Sequence, residues 1–287
     1  MSKVNTVLGE VSSAELGLVA FHEHIGYGMP GSELDSKWWK TPEQAYEETV
    51  PKLRKFHELG GGTFVDATGI CNGRDLDYYK SLSAKTGVHI VACTGFVGGD
   101  TALQHFANAS VEYLTDQFVH EITVGIGQSG VSRGGKMTEL DKRIYRAAAR
   151  AALATGVPIL THLAIDAETS IEIFNQEGLP LDRVAFGHVD DGVNADKTRD
   201  TWIADQGGRI GFDTFGYETE LPDPPFWARP RQDRMDHFLR FIGAGYLDLV
   251  LASADANCSP LGWPGVKGHT VNYIFEDLIP DLRKAGV

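Results

Sequence analysis

LGLVAFHEH, residues 16–24, is an apolar run of strand length that ends in two histidines. On a strand, residues two apart point to the same face, so His22 and His24 converge while Glu23 turns away. This differs from the helical zinc signature, in which the two histidines stand four apart. Taken alone, the pair fits either two metal ligands or two hydrogen-bonded polar residues closing a strand. The choice depends on whether other strands deliver matching side chains to the same place.

Six further runs have the same character: GTFVDAT (62–68), VHIVACTG (88–95), VPILTHL (157–163), RVAFGHV (183–189), GRIGFDT (208–214) and LDLVLASAD (247–255). They are near-continuous apolar runs rather than alternations, as parallel strands covered on both faces are. Helices with legible ends lie between them. TPEQAYEETV opens with Thr41 as N-cap, Pro42 at the first helical position and Gln44 three residues after the cap, a capping box. TELDKRIYRAAARAALATG starts at Thr138 and stops at Gly156, and DAETSIEIFNQEG stops at Gly178, where a left-handed residue ends a helix. Strand–helix alternation without a linker, repeat or composition break predicts one α/β domain over residues 1–287. Seven strands plus one uncertain fourth strand, in under 300 residues, predict an eight-stranded (β/α)8 barrel of TIM type.

Hydrophobic residues make up 42% and charged residues 23%, which is ordinary for a globular protein. No run approaches the roughly 18 apolar residues of a membrane span. The opening MSKVNTVLGEVSS lacks the apolar core of a secretory signal. Cys71, Cys93 and Cys258 are odd in number and widely spaced, as free thiols in a reducing compartment are. Together these predict a cytoplasmic location. A net charge of −13 argues against a nucleic-acid partner and suits an enzyme with a small-molecule substrate.

In a barrel the C-terminal strand ends form one mouth, where residues remote in sequence meet. The first strand brings His22 and His24 there, THL brings His162, GHV brings His188 and SAD brings Asp255. Four histidines and an aspartate at one edge favour metal ligation over five unrelated strand endings. Imidazole and carboxylate suit zinc and its neighbours. Bound metal lowers the pKa of its water towards ~7, giving hydroxide at neutral pH. Asp255 would bind the metal, orient that hydroxide and move its proton to the leaving group.

FHEH, THL, GHVDD and SAD, in that order and spacing, resemble the amidohydrolase superfamily and, more narrowly, the phosphotriesterase-related family of metal-dependent hydrolases. The similarity runs along nearly the whole chain, including NTVLGEVSSAELG, RAAARAALATGVPILTH and FEDLIPDLRKAG. The resemblance implies a distorted (β/α)8 barrel, a homodimer and two divalent metals per chain, zinc being the expected one. His22 and His24 match the first-strand pair of the more buried metal. Asp255 matches the aspartate that shares it and handles the proton, and His162 and His188 match the histidines of the second metal. Relatives bridge the two metals with a carboxylated lysine or a glutamate from the fourth strand, and continue past FEDLIPDLRKAGV with a final helical segment.

The region where that bridge belongs reads FVHEITVGIGQSGVSRGGKMTELDKR, residues 118–143. One alignment sets IGQS on the fourth strand and Gly125 at the bridging position. A second, better on motif similarity, matches EITVGIGQSGVSRGG to the preceding helix and loop. It leaves the strand missing, with Lys136 beside the gap. A missing strand would leave two unpaired edges, and the alternation Ile122, Val124, Ile126 offers a replacement. Either Lys136 or a nearby carboxylate bridges, or the site holds one metal. Lys136 reads more simply as a solvated loop residue, and Glu121 and Glu139 as helix-surface residues. GIGQSG (125–130) also fits the dinucleotide fingerprint G-x-G-x-x-G, but no helix opens within it, so its glycines are expected to make a turn.

Lactonases of this family commonly carry a tyrosine after the third strand and an arginine after the seventh, where this chain has Val97 and Thr214. That makes an acyl-homoserine lactone a poorer expectation, and nothing marks a phosphotriester site. YETELPDPPFWARPRQDRM (217–235) is a candidate pocket wall, with Tyr217, Phe226 and Trp227 offering apolar surface and Arg229 an anion contact. SPLGWPGVKGHT adds Trp263. Packing or an oligomer contact explains these residues equally well, and Cys258 reads as a packed thiol. The leading expectation is a hydrolase directing metal-bound hydroxide at an ester, lactone, amide or phosphoester. The alternatives are a mononuclear deaminase-type amidohydrolase and a non-catalytic binding protein with a decayed metal site.

Overall fold

The computed structural model describes residues 2–287 apart from 38–39, 100, 125–127, 132–136, 163, 165, 192–195, 218–228 and 263–269. An antiparallel hairpin, β1 (Lys3–Thr6) and β2 (Gly9–Ser12), comes first. Eight parallel strands follow: β3 (Leu18–Glu23), β4 (Gly61–Asp66), β5 (His89–Phe96), β6 (Gln128–Val131), β7 (Ile159–Thr161), β8 (Val184–Phe186), β9 (Arg209–Phe212) and β10 (Val250–Ala252). Each pairs with its neighbours in chain order. The last and first strands meet beyond the end of β10. Asp255 N–H donates to the His22 carbonyl (3.1 Å), His24 N–H to the Ala256 carbonyl (2.7 Å) and Cys258 N–H to the His24 carbonyl (2.9 Å). Those bonds join the exits of the first and last strands, as the expected barrel requires.

The helices are α1 (Pro42–Glu58), α2 (Leu76–Thr86), α3 (Gln104–Ala107), α4 (Val111–Val124), α5 (Glu139–Thr155), α6 (Ala167–Glu177), α7 (Lys197–Asp205), α8 (Arg231–Phe241) and α9 (Ile279–Lys284). Thr41 caps α1 with the reciprocal Gln44 bond, and Thr138 caps α5. Gly156 and Gly178 end α5 and α6 in left-handed conformations, as the sequence predicts. Apolar contacts hold helices to sheet: Phe56 of α1 meets Phe64 of β4 edge-on at 6.3 Å, and Phe212 of β9 meets Phe238 of α8 at 5.1 Å. Ala147, Ala148, Ala149, Ala151 and Ala152 of α5 are all fully buried, because small side chains let a helix approach its neighbours closely. Val4 of β1 packs on Val65, Val91 and Cys93. Among the described residues, no helix is long and apolar enough to cross a membrane.

The fourth strand corrects two expectations. It is present as Gln128–Val131, paired with β5 on one side and β7 on the other, so the alignment that left it missing is overturned. Ile122 and Val124 lie on α4 and supply no replacement strand. The strand forms because β5 and β7 would otherwise each carry a row of unpaired backbone groups. Gly130 of GIGQSG is within this strand rather than in a turn, while Gly125 and Gly127 lie outside the described residues. The motif therefore follows a helix and leads into a strand, the reverse of a dinucleotide site.

Glu121 is corrected too. It sits on α4, yet its side chain is only 13% exposed, which places it within the fold. It takes two hydrogen bonds from Arg74 (2.9 and 3.0 Å) and one from the Thr94 hydroxyl of β5. Arg74 also donates to the Cys93 carbonyl at 2.8 Å, and a guanidinium held against the sheet needs a carboxylate partner. Glu139 is exposed at the start of α5, as expected.

Candidate metal centre

His22, His24, His188 and Asp255 are all buried at the C-terminal ends of strands, and half-buried His162 joins them. His22 lies in β3, whereas His24, His162, His188 and Asp255 fall one to three residues beyond β3, β7, β8 and β10. The His22 and His188 rings stack at 4.8 Å, and His162 meets His188 edge-on at 4.3 Å. Two of the five have strained backbones. His188 (φ 53°) and Asp255 (φ 47°) are left-handed although neither is glycine, at about 1–3 kcal/mol each. Such strain persists only where surrounding bonds over-determine it.

Those bonds are on view. Asp213, fully buried just beyond β9, accepts from His22 Nδ1 and His188 Nδ1, each at 2.7 Å, and from the His188 N–H at 2.7 Å. The acceptor fixes the proton on Nδ1 of both rings and leaves Nε2 facing the cluster. His24 Nδ1 is paired with the Thr68 hydroxyl at 2.9 Å, so its Nε2 also faces inward. Gly187 keeps this corner close: a Cβ there would stand 2.5 Å from the Thr161 carbonyl and 2.9 Å from Asp213 Oδ2. Glu23 turns away from the cluster, as a strand requires. It accepts from the Ser253 hydroxyl (2.6 Å), Ala254 N–H (3.0 Å) and Ala256 N–H (2.6 Å), which holds the backbone leading into Asp255. Burial pushes its carboxyl up to about 8 against those three donors. Asp66, also fully buried, does similar work by accepting from Ile25 N–H and Tyr79 OH.

Asp255 Oδ1 lies 3.0 Å from His24 Nε2 and 3.7 Å from His22 Nε2. Nitrogen and oxygen ligands ~2.0 Å from a tetrahedral ion stand ~3.3 Å from each other. The two distances from Asp255 Oδ1 bracket that value, and the three ligand atoms lie within 4.8 Å of one another, as donors around one cation do. Asp255 Oδ2 is 3.6 Å from His188 Nε2, and it accepts from the Tyr217 hydroxyl at 2.6 Å. His162 Nδ1 is buried with no hydrogen-bond partner among the described residues.

The electrostatics agree. Burial opposes charge on Asp255, but His188, His24 and His22 outweigh it and hold the carboxyl well below its usual range. Burial likewise opposes charge on His188, yet Asp213 and Asp255 hold its pKa up at about 10. Asp213 is kept down at about 2 by His188 and His22 in spite of burial. Burial, then the neighbouring His188, lowers His162 well below an ordinary imidazole. The cluster is thus an anionic well that favours positive charge, whether proton or metal ion. It also retains one imidazole as a neutral donor.

The remaining candidates fall differently. Val97, half-buried, follows β5, and Thr214, buried, follows β9. Tyr217 is bonded to Asp255 rather than offering a free apolar wall. Arg229, expected as an anion contact, donates to the Asp190 and Asp233 carbonyls. Cys258 is a buried free thiol. Lys136, Phe226, Trp227 and Trp263 lie outside the described residues. Sequence reasoning missed Asp213 and Asp66, although GRIGFDT and GTFVDAT each place an aspartate at a strand end just as SAD does.

Comparison with known proteins supplies relatives of this arrangement. A model of the phosphotriesterase family matches residues 2–287. The aryldialkylphosphatase of Saccharolobus solfataricus is 29% identical over 96% of this chain and 91% of its own length. The N-acetyltaurine hydrolase of Danio rerio is 26% identical over 99% of this chain and 93% of its own. Among solved structures, a double mutant of the organophosphorus hydrolase from Deinococcus radiodurans superposes with a TM-score of 0.91. It is 26% identical and covers all of this chain and 92% of that one. A structure described as organophosphate hydrolysis activity engineered from a weak promiscuous lactonase template gives a TM-score of 0.87 at 28% identity, covering 100% and 94% of the two chains.

Proposed function

Because the chain belongs to the phosphotriesterase family and is a hydrolase, we propose that it hydrolyses a small ester, lactone, amide or phosphoester with one divalent cation, zinc by donor type, held by His22, His24 and Asp255. The observation that carries this reading is the convergence of those buried donors, whose ligand atoms lie within 4.8 Å of one another, with His24 Nε2 and Asp255 Oδ1 3.0 Å apart. His162 and His188 form a second, weaker position. The described fourth strand contributes only Gln128, Ser129, Gly130 and Val131, none of them a lysine or carboxylate that bridges two ions.

A divalent cation in this place supplies Lewis-acid polarisation of a carbonyl or phosphoryl oxygen and activates water for attack. The protein's own groups do the rest. Asp213 holds the rings of His22 and His188 by Nδ1 and so aims their Nε2 atoms at the cluster. Asp255 presents one oxygen to the histidine pair and the other to the Tyr217 hydroxyl, and a carboxylate so placed beside the cation would accept a proton from the nucleophile and return it to the leaving group. Burial excludes bulk water and strengthens each of these electrostatic contacts.

Titration of the metal-depleted protein with zinc, read alongside hydrolysis of a panel of p-nitrophenyl esters, lactones and phosphotriesters, tests the reading. One tight equivalent that restores turnover is expected. Asp255→Asn is expected to lower turnover by about 10²–10⁴-fold, the usual worth of a positioned proton-transfer group. Wild-type protein that binds no metal and hydrolyses nothing in the panel would overturn it.

A further inference from the structure

We propose that Tyr217 is a positioning residue that holds Oδ2 of Asp255, so that Oδ1 alone is presented to His22 and His24. The inference rests on the metal-binding reading of that cluster. Tyr217 follows β9 by five residues, and its hydroxyl stands 2.6 Å from Asp255 Oδ2 and 3.1 Å from the Asp255 carbonyl oxygen. A phenol has one proton, so the shorter bond carries it and the carbonyl oxygen shares it.

Both contacts fall on one residue, and that residue is left-handed at φ 47°. The backbone contact steadies the strained turn, and the side-chain contact settles how the carboxylate rotates within it. Without the hydroxyl, the carboxylate is free to turn about its Cβ–Cγ bond. It can then present both oxygens to the histidine pair, or swing Oδ2 towards His188 Nε2, 3.6 Å away. With the hydroxyl in place, each oxygen has a separate duty: Oδ1 faces His24 and His22, and Oδ2 is engaged by Tyr217. A hydrogen bond to a ligating carboxylate orients it and typically carries 10–100-fold in metal affinity or activity. Tyr217 thereby acts on carboxylate geometry, and its ring need not touch a substrate.

Tyr217→Phe removes one oxygen and tests this directly. Zinc affinity is read by competition with a chromophoric chelator, and coordination by the visible spectrum of the cobalt-loaded protein. The expected result is about tenfold weaker binding of the first equivalent together with a changed cobalt band. Loss of packing alone would not alter that band while the metal-free unfolding midpoint stays near wild type. In an Asp255→Asn background, adding Y217F is expected to change affinity by less than twofold, because the partner is already altered. If Y217F does not fold, Tyr217→His, which returns a ring N–H donor, takes its place, and affinity within threefold of wild type supports the assignment. Y217F with wild-type affinity and an unchanged cobalt spectrum, or an undiminished effect without Asp255, overturns it. Wild-type protein that binds no zinc overturns the metal reading itself, a result distinct from either of these.

Discussion

Asp213 accepts from two imidazoles and a backbone amide, so three donors depend on one buried carboxylate. Asparagine at this position keeps the shape but offers a single acceptor oxygen and turns an NH2 group towards one of the rings. One histidine must then flip its tautomer or lose its partner, and its Nε2 is no longer held towards the cluster. Asp213→Asn is therefore expected to weaken zinc binding by about 10–100-fold, measured by chelator competition. Affinity unchanged from wild type would show that Asp213 serves the fold alone. Asp213 went unnoticed in the sequence because a strand-end aspartate has the same appearance whether it faces a ligand or a ligand's neighbour. His22 and Asp213 are separated by 191 positions, and only the barrel brings them together.

The fourth strand illustrates the limit of periodicity. QSGV is four residues long, with a glycine and two polar residues, and has little strand propensity of its own. It is a strand because its neighbours need hydrogen-bond partners, a demand that no local pattern records. Helix ends behaved in the opposite way, since a cap is a local event. Thr138 accepts from Asp141 N–H at 3.2 Å, while the Asp141 carboxylate takes the Thr138 N–H at 2.8 Å and the Gly99 N–H at 2.8 Å. Thr138→Ala is expected to cost about 1 kcal/mol of stability, the usual loss for a capping hydroxyl, read as a lower urea midpoint with an unchanged m-value. No shift in the midpoint would mean that Asp141 alone secures the start of α5.

Across the outer layer, Glu177 at the end of α6 ties that helix to α5. It accepts from Arg146 (2.9 Å) and Arg150 (2.8 Å). Hydrogen bonding to Arg150, then to Arg146, holds its carboxyl below the ordinary value of 4.5 despite partial burial. A depressed carboxylate pKa stabilises the folded state above the unfolded pKa, and that contribution fades as pH falls through the folded one. Glu177→Gln is thus expected to lower stability at pH 7 and leave it nearly equal to wild type at the acid end. Urea midpoints collected from pH 7 down to below 4.5 would show the two curves converging. Parallel curves would mean that the pair contributes packing rather than charge.

Barrel class, the helix caps and the convergence of His22, His24, His162, His188 and Asp255 were legible along the chain. Each is written in a short window of apolar runs, turn residues and strand-end side chains. The barrel then places every strand's C-terminal end at one mouth. Folding alone decided the rest: the Asp213 clamp, the closure of β10's exit onto β3, the Arg74–Glu121 pair and the partner of Tyr217. Each joins residues between 25 and 234 positions apart. Their pairing depends on which faces the closed sheet turns towards one another, a consequence of strand stagger and closure that no single segment encodes.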